Sequence, residues 1–494
     1  MLFNSFDFIW FFIIVTSLYF AIPHKFRWLL LLGASCYFYM AFIPVYILVL
    51  FTTIIIDYFA GIWIERSEGK KKKYYLIISI VSTCLVLFIF KYFNFFNTNM
   101  DRVAKFFHWS YSIESLSIIL PIGLSFHTFQ SLSYVIEVYR GNQKAEKNFG
   151  IYSLYVMFYP QLVAGPIERP QNLLHQFYEK HKFEYQRVTD GLKLMAWGMF
   201  KKVVIADRLA VYVNEVYGDP HHYSSVPLIM ATIFFTYQIY CDFSGYSDIA
   251  IGSAQVMGFT LMSNFNRPYY SKSISEFWKR WHISLSTWFK DYVYISMGGN
   301  KVSKLRNYYN LFITFLISGL WHGANWTFIF WGALNGFYLI FGSITAKMRS
   351  KLNEAIGILK FPFAYRASQV FTTFCLVAFG WIFFRANNIH DAFYIVRSIV
   401  SGFKQDMSNV ILNTNNMRLQ LLYMSKSMWV LLTFISPIVV LEMVQYFQRN
   451  KKIRSWVITK PAITRWALYV ILIVSILTLG KYKDDGQQFI YFQF

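Results

Sequence analysis

One histidine stands inside an otherwise apolar stretch of the chain, in the sequence SGLWHGA that runs from Ser318 to Ala324. An imidazole titrates near pH 6.5, so the His322 side chain can accept or donate a proton near neutral pH. Gly319 and Gly323 flank it and leave room for a neighbouring helix or a ligand. A buried, hydrogen-bonded core histidine is the alternative interpretation.

A second chemically rich stretch, NFNRPYYSKSISEFWKRWHISLSTWFKDYVYISMGGNK, runs from Asn264 to Lys301. Its charged residues are too many for a membrane span. The helical spacing of its aromatic residues predicts one amphipathic helix at the cytoplasmic interface, with Ser273 and Glu276 forming a capping box at its start. This helix either anchors the protein or lines an entrance where Lys279 or Arg280 meets phosphate. The two predicted stripes are Phe277, Trp281, Leu285 and Trp288, and Trp278, His282, Ser286 and Phe289.

Two carboxylates occur in an apolar setting in YCDFSGYSDIAIG, from Tyr240 to Gly252. Carboxylates within membrane segments are candidates for function, so Asp242 and Asp248 are of interest. The interpretation we favour is structural: they pair with an arginine, or serine side chains cap a broken helix there. The arginines in question are Arg267 and Arg280, and the serines are Ser244 and Ser247.

Familiar catalytic signatures are missing from the sequence. It contains no HExxH, GxSxG or Walker A motif, so a zinc site or a serine nucleophile has no support. The cysteines also lack metal-ligand spacing and are expected to be buried thiols. They are Cys36, Cys84, Cys241 and Cys375.

The composition places these residues in a membrane protein. Of the 494 residues, 56% are hydrophobic and 15% are charged, which excludes an ordinary soluble enzyme. The net charge of +22 fits lysines and arginines held in cytoplasmic loops, rather than a nucleic-acid binding surface. Apolar runs predict spans near 6–22, 28–42, 45–64, 74–96, 116–138, 151–164, 190–216, 226–241, 308–320, 324–342, 363–384, 428–447 and 464–480.

The sequence therefore predicts an all-α polytopic protein, in which re-entrant and interfacial helices surround a central funnel. One membrane-embedded domain, 1–480, is followed by an extracytoplasmic C-terminal tail, 481–494. The basic segment Glu65–Lys73 follows the third predicted span, and positive-inside counting then places both termini outside the cytoplasmic membrane.

Together these motifs resemble the membrane-bound O-acyltransferase family, and within it the branch of the alginate O-acetyltransferase membrane subunit. LVAGPIERP at Leu162–Pro170, SGLWHGANWTFIFWGALNG and the ending FIYFQF also carry the resemblance. It implies that His322 and His282 are catalytic, with His322 as the general base that takes the proton from the attacking hydroxyl. The residues expected to contact substrates are Asp242, Asn266, Trp278, Lys279, Arg280, Trp281 and Trp321.

The resemblance further implies transfer of an acetyl group from cytoplasmic acetyl-CoA, with no bound cofactor, to hydroxyls of an extracytoplasmic polysaccharide. Acetyl-CoA and a glycan cannot cross lipid, whereas one buried histidine reached from both faces resolves this difficulty. The expected partners are the bilayer and a glycan, or an extracytoplasmic acetyltransferase that relays the acyl group. Transfer of D-alanyl or another acyl group to a wall polymer, and non-enzymatic transport, are the alternatives.

Tyr491 lies in the aromatic ending and has two interpretations. The tail either rests in the membrane interface, or folds into the outer funnel so that the Tyr491 hydroxyl accepts the acyl group and passes it on.

Overall fold

The computed structural model describes residues 1–163, 165–412, 428–449, 453–482 and 489–490. Over these residues the chain forms helices and no strands, as predicted. Among the described residues, six helices are long and apolar enough to cross a membrane, and each overlaps a predicted span. They are Tyr46–Arg66, Gly69–Phe106, Ser225–Met257, Trp326–Ile344, Pro362–Arg385 and Ala462–Leu479.

Several of the remaining predicted spans are shorter or interrupted helices. The span at 116–138 is wrong at its start, because the helix begins at Leu124, after Pro121 and Gly123. The span at 151–164 is two short helices that meet at Phe158, just before Pro160. The span at 190–216 contains a π-helical segment, Phe200–Ala206, which separates two α-helices.

The chain divides into two compact units, and the first contains residues 1–198 and 246–263. A buried carboxylate joins two of its helices, since Asp57 accepts hydrogen bonds from the hydroxyls of Ser79 and Thr83. The unit contains α1 Phe6–Ala21, α2 His24–Met40, α3 Tyr46–Arg66, α4 Gly69–Leu87, α5 Phe93–Phe106, α6 Leu124–Arg140, α7 Phe149–Met157, α8 Tyr159–Leu162, α9 Pro170–Leu173 and nearly all of α10 Tyr185–Met199.

The LVAGPIERP segment lies in this first unit and forms hydrogen bonds with the loop that contains Met262 and with α7. Glu168 is fully buried, and its carboxylate accepts a hydrogen bond from the backbone N–H of Met262. The backbone carbonyl of Glu168 accepts another from the Tyr155 hydroxyl, at 3.0 Å. These contacts give the motif a structural part in the fold.

The second unit contains residues 199–245 and 264–494 and holds both candidate histidines. Its helix α12 is unbroken from Ser225 to Met257, so the expected break near Ser244 and Ser247 is wrong. The described helices of the unit are α11 Asp207–Gly218, the first part of α12 Ser225–Met257, α13 Ile274–Trp278, α14 Ile283–Phe289, α15 Lys304–His322, α16 Trp326–Ile344, α17 Ala346–Ala355, α18 Pro362–Arg385, α19 Ile389–Leu412, α20 Met428–Phe447, α21 Ile453–Ile458 and α22 Ala462–Leu479.

Candidate functional site

His322 is the last residue of α15, and the chain turns sharply after it. Gly323 is extended, with φ −166°, and Asn325 then caps α16 by accepting a hydrogen bond from the Thr327 N–H. The histidine is buried, with 7% of its surface exposed. The short connection between α15 and α16 therefore fixes the imidazole at the end of α15.

Glycines let α15 and α16 approach backbone to backbone. A Cβ on Gly319 would collide with the Phe328 carbonyl oxygen, and one on Gly332 would collide in the same way with the Phe315 carbonyl oxygen. The close approach expected from the glycines beside His322 is confirmed. Because α15 and α16 meet through these glycines, the position of His322 depends on the distance between the two helices.

Aromatic rings cover the His322 imidazole. Trp331 of α16 stands perpendicular to it at 5.2 Å between centroids, and Phe384 of α18 lies 5.3 Å away. Trp381 stacks on Trp331 at 5.8 Å. The histidine is thus held within an apolar aromatic cluster, where ionic and hydrogen-bonding interactions are stronger than in water.

The prediction of a single amphipathic helix around His282 is wrong, because the helix is interrupted between the end of α13 at Trp278 and the start of α14 at Ile283. His282 has φ +42°, a left-handed conformation that is unusual for a residue with a side chain. The preceding segment satisfies backbone groups at the break: Ile283 N–H donates to the Asn264 carbonyl and Asn266 N–H donates to the Arg280 carbonyl. The predicted cap is half confirmed, since Ser273 accepts from Glu276 N–H while the Glu276 carboxylate accepts from Lys272 N–H.

Asn264 sets the hydrogen-bonding pattern of His282. Its Oδ1 lies 3.0 Å from His282 Nδ1 and also faces the backbone N–H and hydroxyl of Ser284. A backbone N–H only donates, so the Asn264 atom that faces it is the oxygen. His282 Nδ1 therefore carries the hydrogen, and Nε2 presents its lone pair.

The environment of His282, including His322, lowers the pKa of its imidazole. Burial lowers the pKa of His282 well below its ordinary 6.5, and the charge that His322 carries when protonated lowers it further. His282 is consequently neutral at pH 7.

The other predicted substrate residues occupy different environments. The Trp278 indole N–H donates to Asn335 Oδ1 at 3.2 Å, and its ring meets Trp331 edge to face. Arg280 forms an ion pair with Glu276 at 2.6 Å. Trp281 is buried, Trp278, Arg280 and Trp321 are half-buried, and Asn266 and Lys279 are exposed.

Asp242 does not pair with Arg267 or Arg280 as expected. Lys202 of the π-helical segment lies 2.7 Å from Asp242 Oδ1, and the same ammonium lies 2.8 Å from Asp207. All three side chains are buried. The favoured interpretation, a carboxylate paired with a cation, is correct in kind, but its partner is a lysine on another helix.

The C-terminal segment, of which residues 481–482 and 489–490 are described, contacts the cluster formed by Lys202, Asp207 and Asp242. Phe489 and Ile490 are buried, and Ile490 N–H donates to Asp242 Oδ2 at 2.8 Å. Tyr491 itself lies outside the described residues.

Sequence reasoning missed Asn264, Asn335, Lys202 and Phe384. Lys202 carried a signal, since Lys201 and Lys202 interrupt the apolar run of a predicted span. The two asparagines gave none, because neither has a spacing that predicts its partner. Within the described ranges, no group of three His, Cys, Asp or Glu side chains has the arrangement of a metal site.

Comparison with known proteins identifies the family. Residues 147–386 match the model of the MBOAT, membrane-bound O-acyltransferase family. A Pseudomonas aeruginosa relative named "Probable alginate O-acetylase AlgI" is 38% identical over 405 residues, covering 81% of this chain and 75% of the relative.

Two relatives carry other names. A Helicobacter pylori "Peptidoglycan O-acetyltransferase" is 34% identical over 404 residues, covering 76% of this chain and 73% of the relative. A Streptococcus thermophilus "Teichoic acid D-alanyltransferase" is 25% identical over 321 residues, covering 56% of this chain and 75% of the relative. The resemblance first seen in the motifs is confirmed: the chain belongs to the membrane-bound O-acyltransferase family and is a multi-pass membrane enzyme that transfers acyl groups to oxygen.

Proposed function

We propose that this enzyme moves an acetyl group from cytoplasmic acetyl-CoA to hydroxyl groups of an extracytoplasmic polysaccharide, with His322 as the general base. The observation that carries the proposal is the His322 imidazole, which is buried at the end of α15 between the rings of Trp331 and Phe384. The names of the alginate and peptidoglycan relatives support the acetyl group and the glycan acceptor.

In this mechanism His322 removes the proton from the attacking hydroxyl as its oxygen bonds to the thioester carbonyl carbon. The carbon–sulfur bond breaks, and the CoA thiolate takes the proton from the imidazolium. The Nε2 lone pair of neutral His282 accepts a hydrogen bond that orients the reacting groups. Positioned proton transfer of this kind contributes about 10²–10⁴-fold to the rate.

The donor enters beside α13. Lys279 is exposed there and Arg280 is half-buried, so their cations meet the phosphates of CoA while Trp278 contacts the less polar part. Arg280 already pairs with Glu276, which makes Lys279 the stronger contributor. Replacing both by alanine should weaken acetyl-CoA binding, and unchanged affinity would refute this placement.

The acceptor side uses the C-terminal tail. Tyr491 takes the acetyl group as an aryl ester and passes it to a glycan hydroxyl, or to a partner acetyltransferase outside the membrane. Two successive transfers at one histidine spare the enzyme from holding a polymer and acetyl-CoA together. The burial of Phe489 and Ile490 within the second unit supports a tail that folds back into the protein.

This arrangement requires a defined orientation in the bacterial cytoplasmic membrane. Both termini lie on the extracytoplasmic side in our proposal, as the distribution of lysine and arginine indicates. Tags at either end should react with an impermeant label in intact cells. Labelling only after lysis would overturn the orientation.

The decisive experiment supplies purified enzyme in liposomes with acetyl-labelled acetyl-CoA and a glycan. His322→Ala should reduce labelled glycan by about 10²–10⁴-fold while acetyl-CoA binding persists. Tyr491→Phe should preserve binding and abolish glycan labelling, and single-turnover mass spectrometry should find acetyl on the wild-type tail. Full activity in either variant would remove that residue from the mechanism.

The D-alanyl relative supports a second candidate, in which the same histidines transfer D-alanyl groups to a wall polymer. Its lower identity and its smaller share of this chain make it the weaker candidate. Competition between acetyl and D-alanyl donors in the same liposomes distinguishes the two.

A further inference from the structure

A buried cluster of three charges, Lys202, Asp207 and Asp242, lies in the second unit. The Lys202 ammonium bridges the carboxylates of Asp207 and Asp242, and the exposed fraction of each of the three side chains is between 1% and 4%. Buried ions need partners for every charged atom. The second oxygen of Asp242 meets this need with a backbone N–H from the C-terminal segment.

That N–H belongs to Ile490 and lies 2.8 Å from Asp242 Oδ2. The contact uses the main chain, so it holds this segment regardless of the side chain at 490. Phe489, which is fully buried, packs against Phe243 at 5.7 Å between ring centroids. Phe489 and Ile490 are thus held by one charged residue and the aromatic residue that follows it on α12.

The start of the segment is attached to the same part of the fold. Lys481 N–H donates to the carbonyl of Val203, the residue next to Lys202, at 3.3 Å. Arg208 donates to the carbonyl of Leu479, the last residue of α22. The chain therefore contacts the π-helical segment just after α22 ends. Ile490 then contacts Asp242, which pairs with Lys202 of the same π-helical segment.

Phe243 links this contact to the candidate active site. Its ring stands perpendicular to His282 at 4.5 Å, and it also contacts Phe489. A displacement of the tail would therefore reach His282 through one aromatic ring. Asp242, one residue earlier on α12, accepts the backbone N–H of Ile490, the residue that follows Phe489.

We infer that Asp242, held by Lys202, is the seat of the C-terminal segment and a positioning residue for acyl transfer rather than a substrate contact. It fixes Ile490, and with it the point from which the chain continues to Tyr491. The positioning role rests on the proposed function of the tail, whereas the seat itself does not.

Thiol labelling of Ile490→Cys tests the seat without any substrate. The backbone N–H is retained in this variant, so the thiol should react slowly with a small maleimide, as followed by mass spectrometry of the tail peptide. Adding Asp242→Ala should accelerate labelling about tenfold or more, the effect expected when a hydrogen bond to a charged group is lost. Asp242→Asn keeps an accepting oxygen and should be intermediate.

Asp406→Asn is the matched control. Asp406 is another buried carboxylate of the second unit that accepts a backbone N–H, from Val226 at 3.2 Å. This change should leave the introduced thiol protected, while acetyl-CoA binding and a monodisperse elution profile verify folding of each variant. Rapid labelling in the Ile490→Cys parent, or equally slow labelling once Asp242→Ala is added, would overturn the seat.

Acetylation assays then test positioning separately. Asp242→Ala should retain acetyl-CoA binding and lose glycan acetylation. A labelled, released tail together with wild-type acetylation would overturn the positioning role. Absence of acetyl transfer in the parent enzyme would instead count against the proposed function and would leave the labelling result intact.

Discussion

The two histidines of the second unit are fixed in opposite ways. His322 ends a long helix, and its place follows from glycine contacts between α15 and α16. His282 sits in a break with a left-handed backbone and is held by Asn264. The first position therefore depends on side-chain volume at a helix crossing, and the second on hydrogen-bond partners in an irregular segment.

The largest effect should come from adding volume at the helix crossing. Gly319→Ala places a methyl group against the Phe328 carbonyl and forces the helices apart, at a cost of about 1–3 kcal/mol. The unfolding temperature should decrease, and the rate of acyl transfer should decrease with it. Gly342→Ala is the control, because a Cβ there meets only the Arg349 side chain at 3.9 Å. Equal stability of the two variants would contradict a volume-limited crossing.

Removing the hydrogen-bond partner of His282 should lower the rate of acyl transfer in addition to lowering the stability. Asn264→Ala leaves His282 Nδ1 without its acceptor, and we expect acyl transfer to fall about tenfold with the KM for acetyl-CoA unchanged. Asn264→Asp supplies a carboxylate that raises the pKa of His282, so the acidic limb of the pH–rate profile should move to higher pH. A profile identical to wild type in the Asp variant would assign Asn264 a purely structural part.

Acid should destabilise the protein through His282. Burial lowers the pKa of His282 in the folded state, so the folded protein favours the neutral form. The associated stability is complete above pH 6.5 and is lost as the pH falls below that value, by about 1.4 kcal/mol per unit. His282→Asn, which tolerates the left-handed backbone, should flatten the fall in unfolding temperature between pH 7 and pH 5. Parallel curves for the two proteins would refute this origin.

The smallest effect is expected at the start of α13. Ser273→Ala removes the side chain that accepts from Glu276 N–H, which typically costs about 1 kcal/mol. Because α13 has only five residues, its loosening should appear as faster hydrogen exchange at Glu276. Ser275→Ala, one exposed position inside the helix, is the control. Unchanged exchange in the Ser273 variant would show that the contacts of Phe277 alone hold the helix.

Sequence reasoning succeeded where long elements decide the structure. Apolar runs predicted the six membrane-length helices, and the glycines beside His322 indicated a close helix contact. It failed around His282, since regular helical spacing concealed a break that is stabilised by the distant backbone groups of Asn264 and Asn266. Asp242 failed for a similar reason: its cation lies on another helix, and composition cannot choose between Lys202 and the nearer arginines.

The ion cluster beside Asp242 also has a consequence for biosynthesis. Lys202 and Asp207 leave the ribosome together, Asp242 follows, and Ile490 is made 248 residues after Asp242. At about 5–20 residues per second, the carboxylate waits roughly 12–50 s for its last hydrogen-bond partner. During that interval Asp242 lacks the Ile490 N–H and Phe243 lacks the Phe489 ring, so the newly made chain passes through a stage in which the Lys202–Asp207–Asp242 cluster exists before the C-terminal residues that contact it.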